Sequence, residues 1–281
     1  MDAPYAIPED VAPGVIRLLA RNPSPFTFTG TQTFLVGTDA LAVIDPGPDD
    51  GDHVEAIVAA AAGRPIAAIA CTHTHRDHSP AAALLKARTG APIIGCAPLS
   101  LESVGPRADA AFDTAYAPDH VLADGEAIDI DGATLVAVAT PGHTSNHLCF
   151  AWRDMLFTGD HVMGWSTTVV VPPDGDMGAY MASLEKLRQR DDRIFYPAHG
   201  PAVTNPPQYL RGLIGHRLQR ERQILRLVGE GVAAVPDIVA AAYPGLDPRL
   251  VPAAGGSVTA HLLDLERRGL VLHEDERWTI P

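Results

Sequence analysis

Apolar residues fall along this chain in two rhythms. Short runs rich in Val, Ile, Leu and Ala, each cut off by Gly, Pro or Asp, occur at 14–20, 33–37, 40–44, 65–71 and 92–95. Such runs predict strands, and the continuously apolar run at 65–71 predicts a buried one. Segments at 52–62 and 177–189 carry apolar residues on one helical face and predict helices. A further helix is predicted over 81–89, with Ser79 as its N-cap, Pro80 at its first position and Gly90 as its stop. Strand-and-turn patterning returns over 121–139, and more strands are predicted at 155–158 and 193–196. The acidic, loop-rich stretch 103–119 has no assignable rhythm.

Past Thr204-Asn205-Pro206-Pro207, a linker signal, the pattern changes. Helices are predicted at 210–228, 237–243 and 257–268, the last apolar at Val258, Leu262 and Leu265 and stopped by Gly269. A short hairpin follows at 270–280. The expected organisation is therefore a main domain at 1–204 and a smaller unit at 205–281, in keeping with 281 residues of which 46% are hydrophobic. No apolar run approaches the roughly 18 residues of a membrane span. Positions 1–10 lack the basic start and apolar centre of a signal peptide, so a soluble, cytoplasmic protein without a membrane partner is expected. Cys71, Cys96 and Cys149 are isolated in apolar surroundings and predict core packing, not a disulfide.

Charge narrows the partners. The main domain holds 25 acidic residues against 12 basic ones, which accounts for the whole net charge of -13, while the remainder is balanced at nine against nine. Phosphate backbones are held by Lys and Arg displacing counterions, so this balance argues against a nucleic-acid partner and for a small-molecule substrate. Self-association into a homo-oligomer stays open.

The candidate chemistry sits at strand ends. The stretch T-H-T-H-R-D-H-S-P at 72–80 places His73, His75, Asp77 and His78 on a loop between a buried strand and a helix. Alternate residues of an extended segment point the same way, so His73 and His75 can converge on one ion while Asp77 and His78 reach a second. His143, in T-P-G-H-T, would complete three nitrogens on the first ion. Asp160, in T-G-D-H, can place one oxygen on each ion, and His199, in Y-P-A-H-G, can close the second site. Asp45, in D-P-G, leaves a buried strand into a tight turn; it either supports a metal ligand by hydrogen bonding or only starts the turn.

Taken together, T-H-T-H-R-D-H-S, T-P-G-H-T, T-G-D-H and Y-P-A-H-G resemble the motifs of the metallo-β-lactamase-fold hydrolases, over essentially the whole chain. The resemblance implies an α/β (α+β) fold, a four-layer αββα sandwich of two mixed β-sheets, with a dinuclear metal centre at one edge. By match to the motifs, the first metal takes His73, His75 and His143, the second takes Asp77, His78 and His199, Asp160 bridges them, and Asp45 is the supporting aspartate. The segments 22–37, 164–170 and 179–187 further resemble the branch containing glyoxalase II and β-lactamase-like protein 2, departing at Gln32 where that branch usually has Asn. That branch carries a C-terminal winged helix, which the three helices and hairpin match.

The implied activity is hydrolysis of a small ester, thioester, lactone or amide by a hydroxide shared between two divalent ions, most simply Zn2+, with Mn2+ or Fe2+ as alternatives. Asp77 is the expected catalytic residue, orienting the water and carrying a proton towards the leaving group. The alternative of the same branch is an endoribonuclease or phosphodiesterase; an iron persulfide dioxygenase and a non-enzymatic regulator are more remote. His147, His161 and Trp165 are candidate pocket residues, with Phe26 and Tyr196 as possible flanks. His53, His120, His216, His261 and His273 are expected at the surface or an interface. The acidic hairpin tip at 273–276 argues against DNA reading, so the tail is expected to pack on the main domain, with Arg217, Arg220 and Arg222 facing an acidic neighbour or the pocket.

Overall fold

The computed structural model describes residues 4–99, 112–130 and 132–281; part of the stretch without assignable rhythm, 103–111, lies outside them, as does Asp131. Two mixed sheets face each other. The first runs in the order β1 (Glu9–Ala12), β2 (Val15–Leu19), β3 (Gln32–Gly37), β4 (Leu41–Ile44), β5 (Ile66–Cys71), β6 (Ile93–Gly95), β7 (His120–Val121). Its first four strands pair antiparallel and the rest parallel. The second has β8 (Ala127–Ile130), β9 (Ala133–Ala139), β10 (Leu148–Trp152), β11 (Met155–Gly159) and β12 (Ile194–Pro197), in the order β12-β11-β10-β9-β8. Only β11 and β12 pair parallel there.

Helices α1 (Gly51–Ala61) and α2 (Ala81–Thr89) share a core cluster with the first sheet and the inward residues of the second, such as Phe150, Trp152 and Phe157. Phe34 meets Phe157 and Tyr196 across the sandwich at ring-centre distances of 5.1 and 5.6 Å, each pair contributing about 0.5–1.5 kcal/mol beyond its buried area. The outer face of the second sheet, with Cys149, Ala151 and Leu156, packs on α3 (Met177–Arg188) and the start of α4 (Pro206–Gly229). This is the expected four-layer sandwich. All three cysteines are buried and free.

The tail adds α5 (Val235–Ala242), α6 (Val251–Arg267) and the hairpin β13 (Leu272–Glu274) and β14 (Arg277–Thr279), around a core of its own that includes Ile238, Val258, Leu262 and Trp278. It is seated on the sandwich. Arg267 pairs with Asp176, Tyr209 donates to the carbonyl of Met163, and a Cβ at Gly178 would lie 2.6 Å from Asp264. The helix that would enter a DNA groove is thus packed against α3. Among the described residues no helix is long and apolar enough to cross a membrane.

Several expectations need correction. Ser79 does not cap α2: its hydroxyl donates to Asp113, 2.8 Å away, and α2 begins without a side-chain cap. Helix α6 starts six residues earlier than its apolar stripe suggested, and β1 and β10 went unpredicted. His53 and His261 are buried, at 2% and 1% exposure, because each lies under a neighbouring element and not on an outer helix face.

Candidate metal centre

Five loops meet at one edge of the sandwich. Each leaves the C-terminal end of a strand, β4, β5, β9, β11 or β12, so chain connectivity delivers Asp45, the 72–80 loop, His143, Asp160 and His199 to the same rim. Two groups of ligand atoms result, each drawn within 4.8 Å: His73, His75, His143 and Asp160, and Asp77, His78 and His199. All seven side chains expected as ligands therefore converge.

In the first group His75 Nδ1 lies 2.9 Å from His73 Nε2 and 3.1 Å from His143 Nε2. Nitrogens bound tetrahedrally to one zinc stand roughly 3.3 Å apart, so the spacing fits a small cation. In the second, Asp77 Oδ2 is 3.2 Å from both His78 Nε2 and His199 Nε2. Asp160 lies between the groups: Oδ1 is 3.1 Å from His199 and 3.5 Å from His78, while Oδ2 is 3.7 Å from His143. His78 Nε2 and Asp160 Oδ1 are sealed from solvent without a hydrogen bond. A buried polar atom left so is costly, and a cation would satisfy both.

The far sides of the rings are tied down. His73 Nδ1 lies 3.0 Å from Thr72 Oγ1, His78 Nδ1 2.9 Å from Asp45 Oδ2, His143 Nδ1 2.6 Å from the Val169 carbonyl and His199 Nδ1 3.3 Å from the Gly30 carbonyl. For the last three, an acceptor at Nδ1 holds a proton there, so that Nε2 is the atom whose lone pair faces the group once the ring is neutral, as it is when a cation takes the place of the second proton. Asp45 also accepts from the Thr72 amide and hydroxyl, both at 2.8 Å, so it holds the loop and orients His78, more than a turn-starter does.

Charge follows position. Burial, reinforced by the other histidines, pushes His73 down, and burial with His143 pushes His75 down to about 3, so both are neutral donors. Burial opposes charge on His78 and His199 too, but Asp77, Asp160 and Asp45 raise His78, and Asp160 and Asp77 raise His199 to about 10. Against the effect of burial, the same histidines hold Asp77 and Asp160 well below the carboxylate range.

The contacts of Thr31 and Gln32 escaped sequence reasoning because their partners lie 46 and up to 168 residues away, beyond any local pattern. The Thr31 hydroxyl donates to Asp77 Oδ2 at 3.0 Å. Gln32 Nε2 donates to the carbonyls of Pro197 and Gly200, 3.0 and 2.7 Å away, bracing the His199 loop, so the glutamine supplies a contact at that position. Gly159 lets β11 approach closely: at φ +49, a Cβ there would lie 2.7 Å from His147 Nε2 and 2.8 Å from Thr72 Oγ1.

A cavity of about 570 Å3 opens onto His75, Asp77, His143, Asp160 and His199. Trp165 lines it and stacks on Phe28 at 5.0 Å; Phe26 also lines it. The other pocket candidates do not. His147 is buried, between the Thr140 hydroxyl at 2.8 Å and the Asp160 amide, whose N–H it accepts at 3.2 Å, so it positions the aspartate. His161 is buried against Tyr180 and Tyr196 lies in the core, because both side chains point away from the rim. Of the three tail arginines Arg217 lines the cavity, Arg220 stacks over Tyr243 and the exposed Arg222 turns back to the Leu218 carbonyl.

A two-sheet sandwich with histidine and aspartate clusters at its rim defines a class, and the comparisons agree: the chain belongs to the metallo-beta-lactamase superfamily, whose family model matches residues 26–199. The beta-lactamase associated winged helix domain matches residues 234–278. Among relatives, a Beta-lactamase-like protein 2 homolog of Caenorhabditis elegans is 32% identical over 234 residues, covering 79% of this chain and 73% of that protein. An Atrochrysone carboxyl ACP thioesterase, AgnL7, of Paecilomyces divaricatus is 33% identical, covering 77% of this chain and 65% of that protein, just under two thirds of its length. The fold of a beta-lactamase domain protein from Burkholderia ambifaria matches over 99% of this chain and 94% of that one, with TM-score 0.82 and 21% identity. Membership and relatives named as thioesterases support a hydrolase.

Proposed function

We propose that this chain is a hydrolase that holds two divalent cations, zinc first among them, and cleaves a thioester or related small ester. The observation that carries the reading is Asp160, which turns one carboxylate oxygen to each of two histidine groups on the floor of one cavity. His73, His75 and His143 would hold one cation, Asp77, His78 and His199 the other, with Asp160 shared. Cations bound there supply an acidified water as nucleophile at neutral pH and polarise the carbonyl under attack.

The chain's own residues do the rest. Asp77, with its carboxylate held by Thr31 and its side chain partly open to the cavity, takes the proton released by the attacking water and hands it to the departing thiolate or alkoxide. Trp165 and Phe26 offer flat apolar surface to the acyl part and keep bulk water from it. A thioester is favoured within the ester class by relatives named as thioesterases.

The test is a panel of thioester, lactone, β-lactam, single-stranded RNA and phosphodiester substrates, run beside elemental analysis of the purified protein. Two metal equivalents per chain and turnover highest on the thioesters are expected. Turnover confined to RNA or phosphodiesters, or one metal equivalent with full activity, would overturn the proposal.

A further inference from the structure

The most buried arginine of the tail has no acid to answer its charge. Arg217 on α4 is 4% exposed, and its Nη2 donates to the Thr168 carbonyl while its guanidinium lies 5.0 Å over the Tyr180 ring. Its Nε has no hydrogen-bond partner, and among the described residues no carboxylate pairs with it. Four of the tail's more exposed arginines, Arg267, Arg268, Arg226 and Arg249, pair with carboxylates; of those without such a pair, Arg217 is the one that is buried. Burial of a lone charge is costly, and is tolerated where a counter-ion arrives with a ligand.

Its surroundings add positive potential and no relief. Arg220 lies close by on the same helix, stacked 3.8 Å over Tyr243, which also lines the cavity. His261 is buried with both ring nitrogens unpartnered, and burial together with Arg217 holds both His261 and His216 below the ordinary range, hence neutral. Beside this group the cavity wall is apolar, built from Leu246, Leu250, Ala253 and Ala254 of the tail. One cavity thus joins the Asp160 rim, an apolar wall and an unpaired guanidinium.

We infer that Arg217 is a specificity residue that binds an oxyanion, a carboxylate or a phosphate, carried by the substrate beyond an apolar segment. The inference rests on the proposed hydrolytic site and names its substrate class. A guanidinium offers a planar fork of donors that matches both oxyanions, which an amide holding the Thr168 carbonyl would not do. The tail is therefore a wall of the active site and selects the substrate there.

The test uses the full-length, metal-loaded protein and thioesters of one thiol: glutaryl, adipyl and suberyl half-thioesters, each paired with the neutral acyl chain of equal length. The acid-terminated member is expected to have a kcat/KM about tenfold or more higher at its best length, through KM. Arg217→Gln, which can keep the Thr168 hydrogen bond, brings that ratio to about one; Arg217→Lys keeps some of it, and the exposed Arg222→Gln keeps all of it. Calorimetry with glutarate and with inorganic phosphate gives an independent arm, in which Arg217→Gln weakens binding about tenfold or more while Arg222→Gln does not. Loss of phosphate binding alone assigns the anion to a phosphate-bearing leaving group; loss of glutarate binding assigns it to the acyl part. An Arg217→Gln protein with unchanged anion affinities overturns the inference. If no thioester is turned over by the native chain, the hydrolytic reading falls, and the calorimetry still decides whether Arg217 binds an anion.

Discussion

Replacement of Asp45 by Asn isolates what a single carboxylate does to prepare the second group of ligands. Asp45 is 1% exposed and sits at φ +48, a left-handed conformation that Asn tolerates, so the backbone turn survives the exchange. Its Oδ1 accepts from the Thr72 amide, which the Asn oxygen can still do. The Asn NH2 then occupies the place of Oδ2, facing the Thr72 hydroxyl at 2.8 Å and His78 Nδ1 at 2.9 Å. The hydroxyl can turn to accept. His78 Nδ1–H cannot, since donor would face donor, so the ring is driven to carry its proton on Nε2, the atom turned to Asp77 and Asp160. A histidine in that tautomer has no lone pair to give. Loss of such outer support weakens metal affinity about 10–100-fold, or about 1.4–2.7 kcal/mol. Elemental analysis after dialysis against graded chelator should show Asp45→Asn losing one metal equivalent at concentrations where the native chain keeps two, with the equivalent at His73, His75 and His143 retained. Equal retention of both equivalents, or earlier loss from the His73 group, would refute the reasoning.

Three other outcomes are expected. Asp77→Asn should cut thioester turnover about 10²–10⁴-fold while the His73 group stays metallated; near-native turnover would sink the proton-carrier role. Gly159→Ala must place a methyl 2.7 Å from His147 and 2.9 Å from Thr72 Cβ at positive φ, so a loss of about 2 kcal/mol or more is expected by denaturant titration, together with lower metal content. An unchanged midpoint would show that the loop yields freely. Stability should also fall in acid. His53, buried with its Nε2 2.9 Å from the Thr33 hydroxyl, is pushed by burial down to about 4. Between pH 6.5 and 4 the unfolded chain binds a proton that the folded one refuses, so unfolding free energy drops as pH falls through that window, by up to about 3 kcal/mol. His53→Gln should flatten that limb, and a profile identical to the native chain's would rule the histidine out as its source.

What was legible in the sequence was whatever rests on local rules. The 65–71 strand, the glycine stops and the histidine and aspartate motifs at strand ends are short-range signals, since each needs only a few neighbouring residues to be read; the expected linker at 204–207 is instead the N-cap and first turn of α4, whose start packs on the sandwich. Where local rules compete, they misled. Ser79 is well placed to cap α2, yet its hydroxyl goes to Asp113, 34 residues on, because a buried polar group takes the partner that tertiary packing brings. His53 and His261 read in the sequence as surface or interface residues alike, and only the packing of a second element over each decides that they are buried.

By itself, then, the sequence determined the strand-end motifs, the residue types they bring together and a sandwich followed by a winged-helix tail, because residue type and period are written residue by residue. Only the tertiary structure decided that His147 serves Asp160 and not the pocket, that Gln32 braces the His199 loop, and that Arg217 looks into the cavity without an acid beside it. Those are relations between segments up to 168 residues apart. They depend on which faces the packing of two domains brings within hydrogen-bond reach, and on which charges it leaves alone.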